Sequence, residues 1–208
     1  MLDSGGFDLW AEGYDASVGL SDENNEYPFT GYKEVLGQIY AEIMAKEPCH
    51  VLDVGVGTAT LAARLHRAGH KVVGIDFSEE MLKIAAQKMP GATLIQHDFV
   101  KGLPNELAGR QFDFIVLTYA LHHLEDGAKL GFIKEAMGYL AKDGAIIIGD
   151  IAFETAEAQD KCREDSGDDW DDEEFYIIWE IFAKNLNGLC KAQYRQISHC
   201  GGILTIKP

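Results

Sequence analysis

The chain lacks any apolar run approaching the roughly 20 residues that span a bilayer. Its uninterrupted apolar stretches, such as Ala145–Ile148, run to only a few residues. The first fifteen residues, MLDSGGFDLWAEGYD, are acidic and have no apolar segment of the secretory-signal kind. Cysteine is sparse: Cys49, Cys162, Cys190 and Cys200 lie far apart, with no CxxC pair. That argues against a zinc knuckle, a thioredoxin-like motif or a disulfide framework, and leaves free thiols as the expectation. Basic residues are few, 18 Lys+Arg against 34 Asp+Glu, for a net charge of −16. An acidic surface repels phosphate backbones, which argues against a nucleic-acid partner. Internal repeats, low-complexity tracts and a Pro/Gly/Ser linker are also missing. A single cytoplasmic domain with no membrane segment is therefore expected, and 208 residues suffice for a sizeable core.

The acid excess is concentrated. Glu154–Glu174 holds 11 acids against Lys161 and Arg163, a local net of −9. The plainer reading is a solvated loop and helix edge. The sharper one is an acidic rim that selects a cationic substrate or turns an anionic one away.

Apolar periodicity predicts alternating strands and helices. A helix is expected over residues 32–46, ended by Pro48, and a strand over His50–Val54. Thr58–Ala68 reads as helix with Gly69 as its C-cap, then Lys71–Ile75 as strand and Ser78 to about Lys88 as helix with Ser78 as N-cap. Ala92–Gln96 and Phe112–Thr118 read as strands, the second apolar enough to be covered on both faces. Helix Lys129–Lys142, strand Ala145–Gly149 and a late helix over about Asp171–Asn187 follow. Cys190–Ser198 and Ile203–Lys207, joined at Gly201–Gly202, read as a terminal antiparallel pair. The pattern implies an α/β fold, a largely parallel sheet with helices on both faces.

In such a sheet ligands bind beyond the carboxyl ends of the strands, near the point where strand order reverses. The first strand ends in Asp53-Val54-Gly55-Val56-Gly57-Thr58-Ala59-Thr60. The dinucleotide fingerprint GxGxxG fails here, because its third glycine falls on Thr60. The D-x-G-x-G turn instead suits the amino-acid tail of S-adenosylmethionine: Asp53 can hold the ammonium directly or through water, and Gly55 and Gly57 let the backbone come close; a plain glycine turn is the alternative. Asp76, 21 residues after Gly55, ends the adjacent strand and can accept both ribose hydroxyls, a feature shared with NAD binders. Phe77 either packs on adenine or is a core aromatic. At the third tip Asp98 can accept the adenine exocyclic amine, with Phe99 bordering the base; a surface Asp capping a turn is the alternative. The fourth tip, Thr118-Tyr119-Ala120-Leu121-His122-His123-Leu124, would lie under the reacting sulfur.

These segments together resemble the class I S-adenosylmethionine-dependent methyltransferases. The carrying stretches are VLDVGVGTATL at 51–61, VVGIDFSEEML at 72–82, HDF at 97–99 and FDFIVLTYALHHL at 112–124. Within that superfamily the small bacterial YrrT-like group is similar from the start, in an FxxWAxxYD segment that is Phe7–Asp15 here. The resemblance implies a Rossmann-like, doubly wound, mostly parallel seven-stranded sheet with a terminal antiparallel hairpin. It implies cofactor contacts from Gly55, Asp76 and Asp98, and an N-terminal lid that includes Trp10 and Tyr14. The division it suggests is residues 1–47 as lid and helix, 48–150 as cofactor-binding core, and 151–208 as acidic connection, last helix and β-hairpin. Ala59 departs from the family, which often has a third glycine there; one extra methyl packing against the sheet should leave binding intact.

Methyl transfer from a sulfonium is an in-line displacement, and a general base is needed only when the nucleophile arrives protonated. His122, His123 and Tyr119 are the candidates for that base or for orienting the acceptor, and Tyr119 is also a candidate cofactor contact. The plainer reading of the histidine pair is one ring in the core and one capping the next helix. No third residue has convincing metal-ligand spacing, so no metal is expected. A [DN]PP[YF]-like tetrapeptide and a Pro-Cys nucleophile are absent at the fourth tip, which with the charge favours a small-molecule acceptor. The expected activity is methyl transfer from S-adenosylmethionine, leaving S-adenosylhomocysteine. A noncatalytic S-adenosylmethionine-binding or regulatory protein and a nicotinamide-dependent oxidoreductase are the alternatives.

Overall fold

A computed structural model describes Val18 and residues 21–208. Helix α1 spans Tyr32–Met44. The chain then alternates: β1 His50–Val54, α2 Ala62–Arg67, β2 Lys71–Asp76, α3 Glu79–Lys88, β3 Thr93–Gln96, β4 Phe112–Thr118, α4 Asp126–Met137 and β5 Leu140–Phe153. The last part holds α5 Ala156–Ser166, the two-residue β6 Ile177–Ile178, α6 Trp179–Leu186, β7 Lys191–Gln196 and β8 Gly201–Lys207.

Seven strands form one path in the order β3-β2-β1-β4-β5-β8-β7, and β6 pairs with the end of β5 beside it. The pairings β1–β2, β2–β3, β1–β4 and β4–β5 are parallel; β5–β8 and β7–β8 are antiparallel. This is the α/β, mostly parallel sheet with a terminal hairpin that the residue pattern and the family resemblance imply. Strand order reverses between β1 and β4, which makes their carboxyl ends the expected ligand crevice.

Alternate residues of each central strand feed two cores. Val51, Phe114, Val116 and Ile147 pack under Val35, Ile39 and Ile43 of α1. Leu52, Ile115, Leu117, Ile146 and Ile148 pack under Phe132 and Ile133 of α4 and Phe182 of α6. Covering both faces explains the near-continuous apolar run of β4. Gly149 lets α1 settle on β5, since a Cβ there would stand 2.5 Å from Val35 Cγ1 and 2.7 Å from Ile39 Cδ1.

Several boundaries differ from expectation, each for a local reason. The helix after β1 begins at Ala62 rather than Thr58, because Ala59 sits at φ +63°, outside helical space. Strand β5 extends from Leu140 to Phe153, absorbing Asp143 (φ +65°) and Gly144 at a register shift opposite Phe112–Phe114 instead of turning there. The late helix is confined to Trp179–Leu186; residues ahead of it run beside the sheet, with Ile177–Ile178 paired to Ala152–Phe153. Its apolar positions are compatible with both conformations, so periodicity alone did not separate them. The hairpin turns at residues 197–200, where Ile197 N and Ser198 N donate to Gly201 O, and Gly201–Gly202 belong to β8. The acidic stretch carries its own helix, α5, capped by Thr155 Oγ1 accepting from Ala158 N at 3.2 Å. Among the described residues no helix is long and apolar enough to cross a membrane.

Candidate active site

The glycine turn after β1 is stitched to β2. The amides of Gly55 and Val56 both donate to Ile75 O, at 2.9 and 2.8 Å. Asp76, buried at the tip of β2, accepts from Gly57 N through Oδ2 at 2.8 Å and from Ser78 N through Oδ1 at 2.9 Å. Ser78 caps α3 by accepting from Met81 N, as its position predicts. Gly55 has φ +73°, and a Cβ there would lie 2.7 Å from Ala120 Cβ at the tip of β4. Backbone conformation and close approach both demand glycine at this crossing.

Asp53 is 2% exposed on β1, and its Oδ1 has no hydrogen-bond partner. Burial, and secondarily the charge of Asp76, push its carboxyl up to about 8. A buried carboxylate held without a partner is costly, and a cation with N–H donors would satisfy it. Asp98 is a turn cap: Oδ1 accepts from Val100 N at 3.1 Å, and Oδ2 pairs with Lys101 at 3.1 Å. Its side chain is 35% exposed, so acceptor capacity remains toward solvent. Phe77 is half-buried beyond β2. The ring of Phe99 packs edge-on against Phe132 at 5.7 Å, inside the core, so only its backbone remains at the third tip.

The fourth tip departs most from expectation. Tyr119, at φ +51°, turns its ring under the chain, 5.4 Å from Phe29 and 5.0 Å from Tyr32. Its hydroxyl is buried without a partner, and burial first, then the Asp150 charge, holds its pKa well above the ordinary phenol value. That environment disfavours the phenolate. Neither histidine caps the following helix; α4 is preceded by Glu125, with no side-chain cap.

His122 is buried beside Asp150, its Nδ1 2.5 Å from Oδ1. Asp150, in the buried C-terminal half of β5, also accepts from the amides of Leu121, His122 and Ile151. Burial alone would lower the His122 pKa, but the charge and hydrogen bond of Asp150, with Glu174, raise it above the ordinary value. Asp150 is correspondingly held below the usual carboxylate range, its burial outweighed by His122. His123 is pushed down to about 3 by burial and then by the charge of His122, so its imidazole is neutral. Glu174 comes in from the acidic stretch: its Oε1 is 3.5 Å from His122 Nε2 and 3.9 Å from His123 Nδ1. Tyr176 donates to Glu174 Oε2 at 2.9 Å, and Tyr27 and Tyr176 are joined through their hydroxyls. Phe175 N donates to His122 O at 2.8 Å, which fixes this segment over the β4 tip.

Two residues here escaped sequence reasoning. Asp150 was detectable by the criterion used for the other three tips, a lone carboxylate at or close to the end of an expected strand. Glu174 was not, being one of eleven acids in its stretch. With Glu174 beside them, the two histidines have the third potential metal ligand that spacing did not supply. Trp10 and Tyr14 lie outside the described residues.

Residues 51–144 match a family model described as a methyltransferase domain. An uncharacterized methyltransferase of Oceanobacillus iheyensis is 39% identical over 153 residues, covering 74% of this chain and 68% of that protein. The uncharacterized methyltransferase YrrT of Bacillus subtilis is 38% identical over 162 residues, 76% of this chain and 73% of that one. Among solved structures, a DhpI–SAH complex superposes with a TM-score of 0.70 at 18% identity, over 99% of this chain and 94% of the other. Magnesium protoporphyrin IX methyltransferase from Synechocystis with bound SAH gives 0.67 at 18% identity, over 86% and 85%.

Proposed function

The chain belongs to the methyltransferase family that includes the YrrT-like proteins, and from that premise we propose that it transfers a methyl group from S-adenosylmethionine to a small-molecule acceptor. The observation that carries the donor assignment is the partnerless, buried Oδ1 of Asp53 beside the glycine turn. An α-ammonium supplies what that oxygen lacks, and the open space at Gly57, where a Cβ would meet nothing within 4 Å, admits the chain that bears it. Several solved structures of this fold contain SAH or SAM, which supports the same choice.

When bound, the sulfonium supplies an electrophilic methyl carbon. This chain's residues hold and orient: Asp53 takes the ammonium, Asp76 the ribose hydroxyls, Asp98 the adenine amine, and Gly55 and Gly57 permit close backbone approach. Asp76 reaches the ribose while still holding Gly57 N, since each carboxylate oxygen accepts more than one bond. Residues 48–150 carry the donor in this reading, and residues 1–47 and 151–208 close the acceptor side and exclude water. Activation of a protic acceptor falls to the group His122, His123 and Glu174, not to Tyr119. The net charge of −16 favours a small acceptor over a polyanion.

Calorimetric titration with S-adenosylmethionine, S-adenosylhomocysteine and NADH tests the donor. The first two should bind and NADH should not; selective NADH binding overturns the assignment. A methyl-transfer screen over amines, thiols, phenols and carboxylates, detecting the demethylated product, tests the acceptor. Donor binding with no turnover on any class would make this a binding protein instead.

A further inference from the structure

We propose that His122 Nε2, His123 Nδ1 and a Glu174 carboxylate oxygen bind a first-row divalent transition-metal ion at the tip of β4. One ligand atom from each of these three residues lies within 4.8 Å of the other two. The two histidine–Glu174 separations, 3.5 and 3.9 Å, exceed the roughly 2.7–3.2 Å of a hydrogen bond. They approach the distance of about 3.4 Å between two ligands that share a tetrahedral ion at bond lengths near 2.1 Å.

Two of the three ligands, His122 and Glu174, are already oriented from behind. Asp150 holds His122 Nδ1 at 2.5 Å, which turns Nε2 toward Glu174. A carboxylate behind a ligating imidazole is the usual outer shell of such sites. Asp150 is itself fixed by three backbone amides. Tyr176 occupies Glu174 Oε2 and leaves Oε1 facing the imidazoles. The amide of Phe175 anchors the Glu174 segment to His122 O.

Charge agrees with this assignment. Asp150 and Glu174 bring two negative charges to one buried spot, while the neighbouring buried ammonium of Lys129 is paired with Asp126 at 2.9 Å. Two nitrogens and one oxygen suit zinc, iron, cobalt or manganese rather than calcium or magnesium, which favour all-oxygen shells. The side chains of His123 and Glu174 keep 19% and 18% exposure, an entry path for the ion. Three protein ligands leave a position for an exchangeable group. An acceptor thiol or phenol bound there would lose its proton more readily; this last step rests on the methyltransferase reading, whereas ion binding does not.

Co²⁺ is the probe. Protein stripped with a chelator is titrated while visible absorption is followed. One equivalent should bind with the spectrum of a nitrogen/oxygen site, without the near-ultraviolet sulfur-to-cobalt band. Glu174→Gln and His123→Ala should each weaken binding at least about tenfold, and Asp150→Asn by about 10–100-fold. Cys162→Ser/Cys200→Ser should bind as wild type, which separates this site from the nearby-ligand group Cys162, His199 and Cys200. Circular dichroism confirms folding, and Glu174→Gln is the decisive variant because its side chain is partly exposed and isosteric. No binding to wild type, wild-type affinity in Glu174→Gln, or a thiolate spectrum overturns the proposal. Failure to bind S-adenosylhomocysteine would sink the functional reading and leave this one standing.

Discussion

The Asp76 carboxylate accepts the amide of Gly57 at 2.8 Å, tying the tip of β2 to the glycine turn of β1. The same carboxylate receives Ser78 N, so one side chain shapes both the donor turn and the start of α3. Its position therefore serves folding, and in the proposed function it serves binding as well.

That double duty separates two substitutions. Asp76→Ala removes the acceptor of two amides and the proposed ribose contact. S-adenosylhomocysteine affinity should fall at least about tenfold, and stability should fall by about 1–3 kcal/mol, the cost of leaving buried donors unpaired. Asp76→Asn retains an acceptor oxygen and should lose less stability than Asp76→Ala. Calorimetry and urea unfolding measure the two effects; an unchanged dissociation constant in Asp76→Ala removes it from the site.

Asp53 predicts a pH dependence. Its folded pKa of about 8 stands above its ordinary value of 3.8. Between these values the folded state binds the extra proton, so this group makes stability fall as pH rises. The drop in Tm of the unliganded protein between pH 5 and pH 8 should be smaller in Asp53→Asn than in wild type. A ligand ammonium needs the ionised carboxylate, so wild-type affinity for S-adenosylhomocysteine should rise from pH 6 to pH 8. A flat affinity profile would contradict the Asp53 contact.

The sheet was legible because its central strands are buried on both faces and so read as apolar runs with few competing patterns. Three of its tips were legible because Asp53, Asp76 and Asp98 are carboxylates that stand at or just past the ends of β1, β2 and β3. The His122–Asp150–Glu174 group was not, since it joins three segments that meet only through the β5 extension and the turn before α6. Tyr119 shows the opposite failure. Its place at a strand tip suggested chemistry, while its positive φ, invisible in the sequence, sends the ring into the core.

Tyr119→Phe should accordingly stabilise the protein by up to about 1 kcal/mol, because it deletes a buried hydroxyl with no partner and keeps the ring packing. Urea unfolding measures this. A loss of several kcal/mol would mean that the hydroxyl is bonded in solution.

Ala59 stands where related turns often carry glycine, and it is fully buried at φ +63°. Ala59→Gly relieves strain of about 1–2 kcal/mol. It also loses a buried methyl worth about 0.8 kcal/mol and adds unfolded-chain entropy of about 0.5–1 kcal/mol. The opposing effects are of similar size, so the midpoint of urea unfolding should move little. Ala59→Val, which forces a β-branched residue into the same conformation, should be clearly destabilising.

Gly55→Ala tests the crevice itself. The new methyl meets two penalties, the left-handed backbone at φ +73° and an approach of 2.7 Å to Ala120 Cβ. Neither relaxes easily, because Gly55 N is bonded to Ile75 O and Ala120 lies two residues past the end of β4, with Tyr119 N bonded to Gly149 O. The turn must therefore shift away from β4, into the space the donor needs. S-adenosylhomocysteine affinity should fall by more than the stability loss alone predicts, measured at a temperature where the variant is fully folded. If the folded variant binds like wild type, the donor does not pass between these two strand tips, and the assignment of the crevice fails with it.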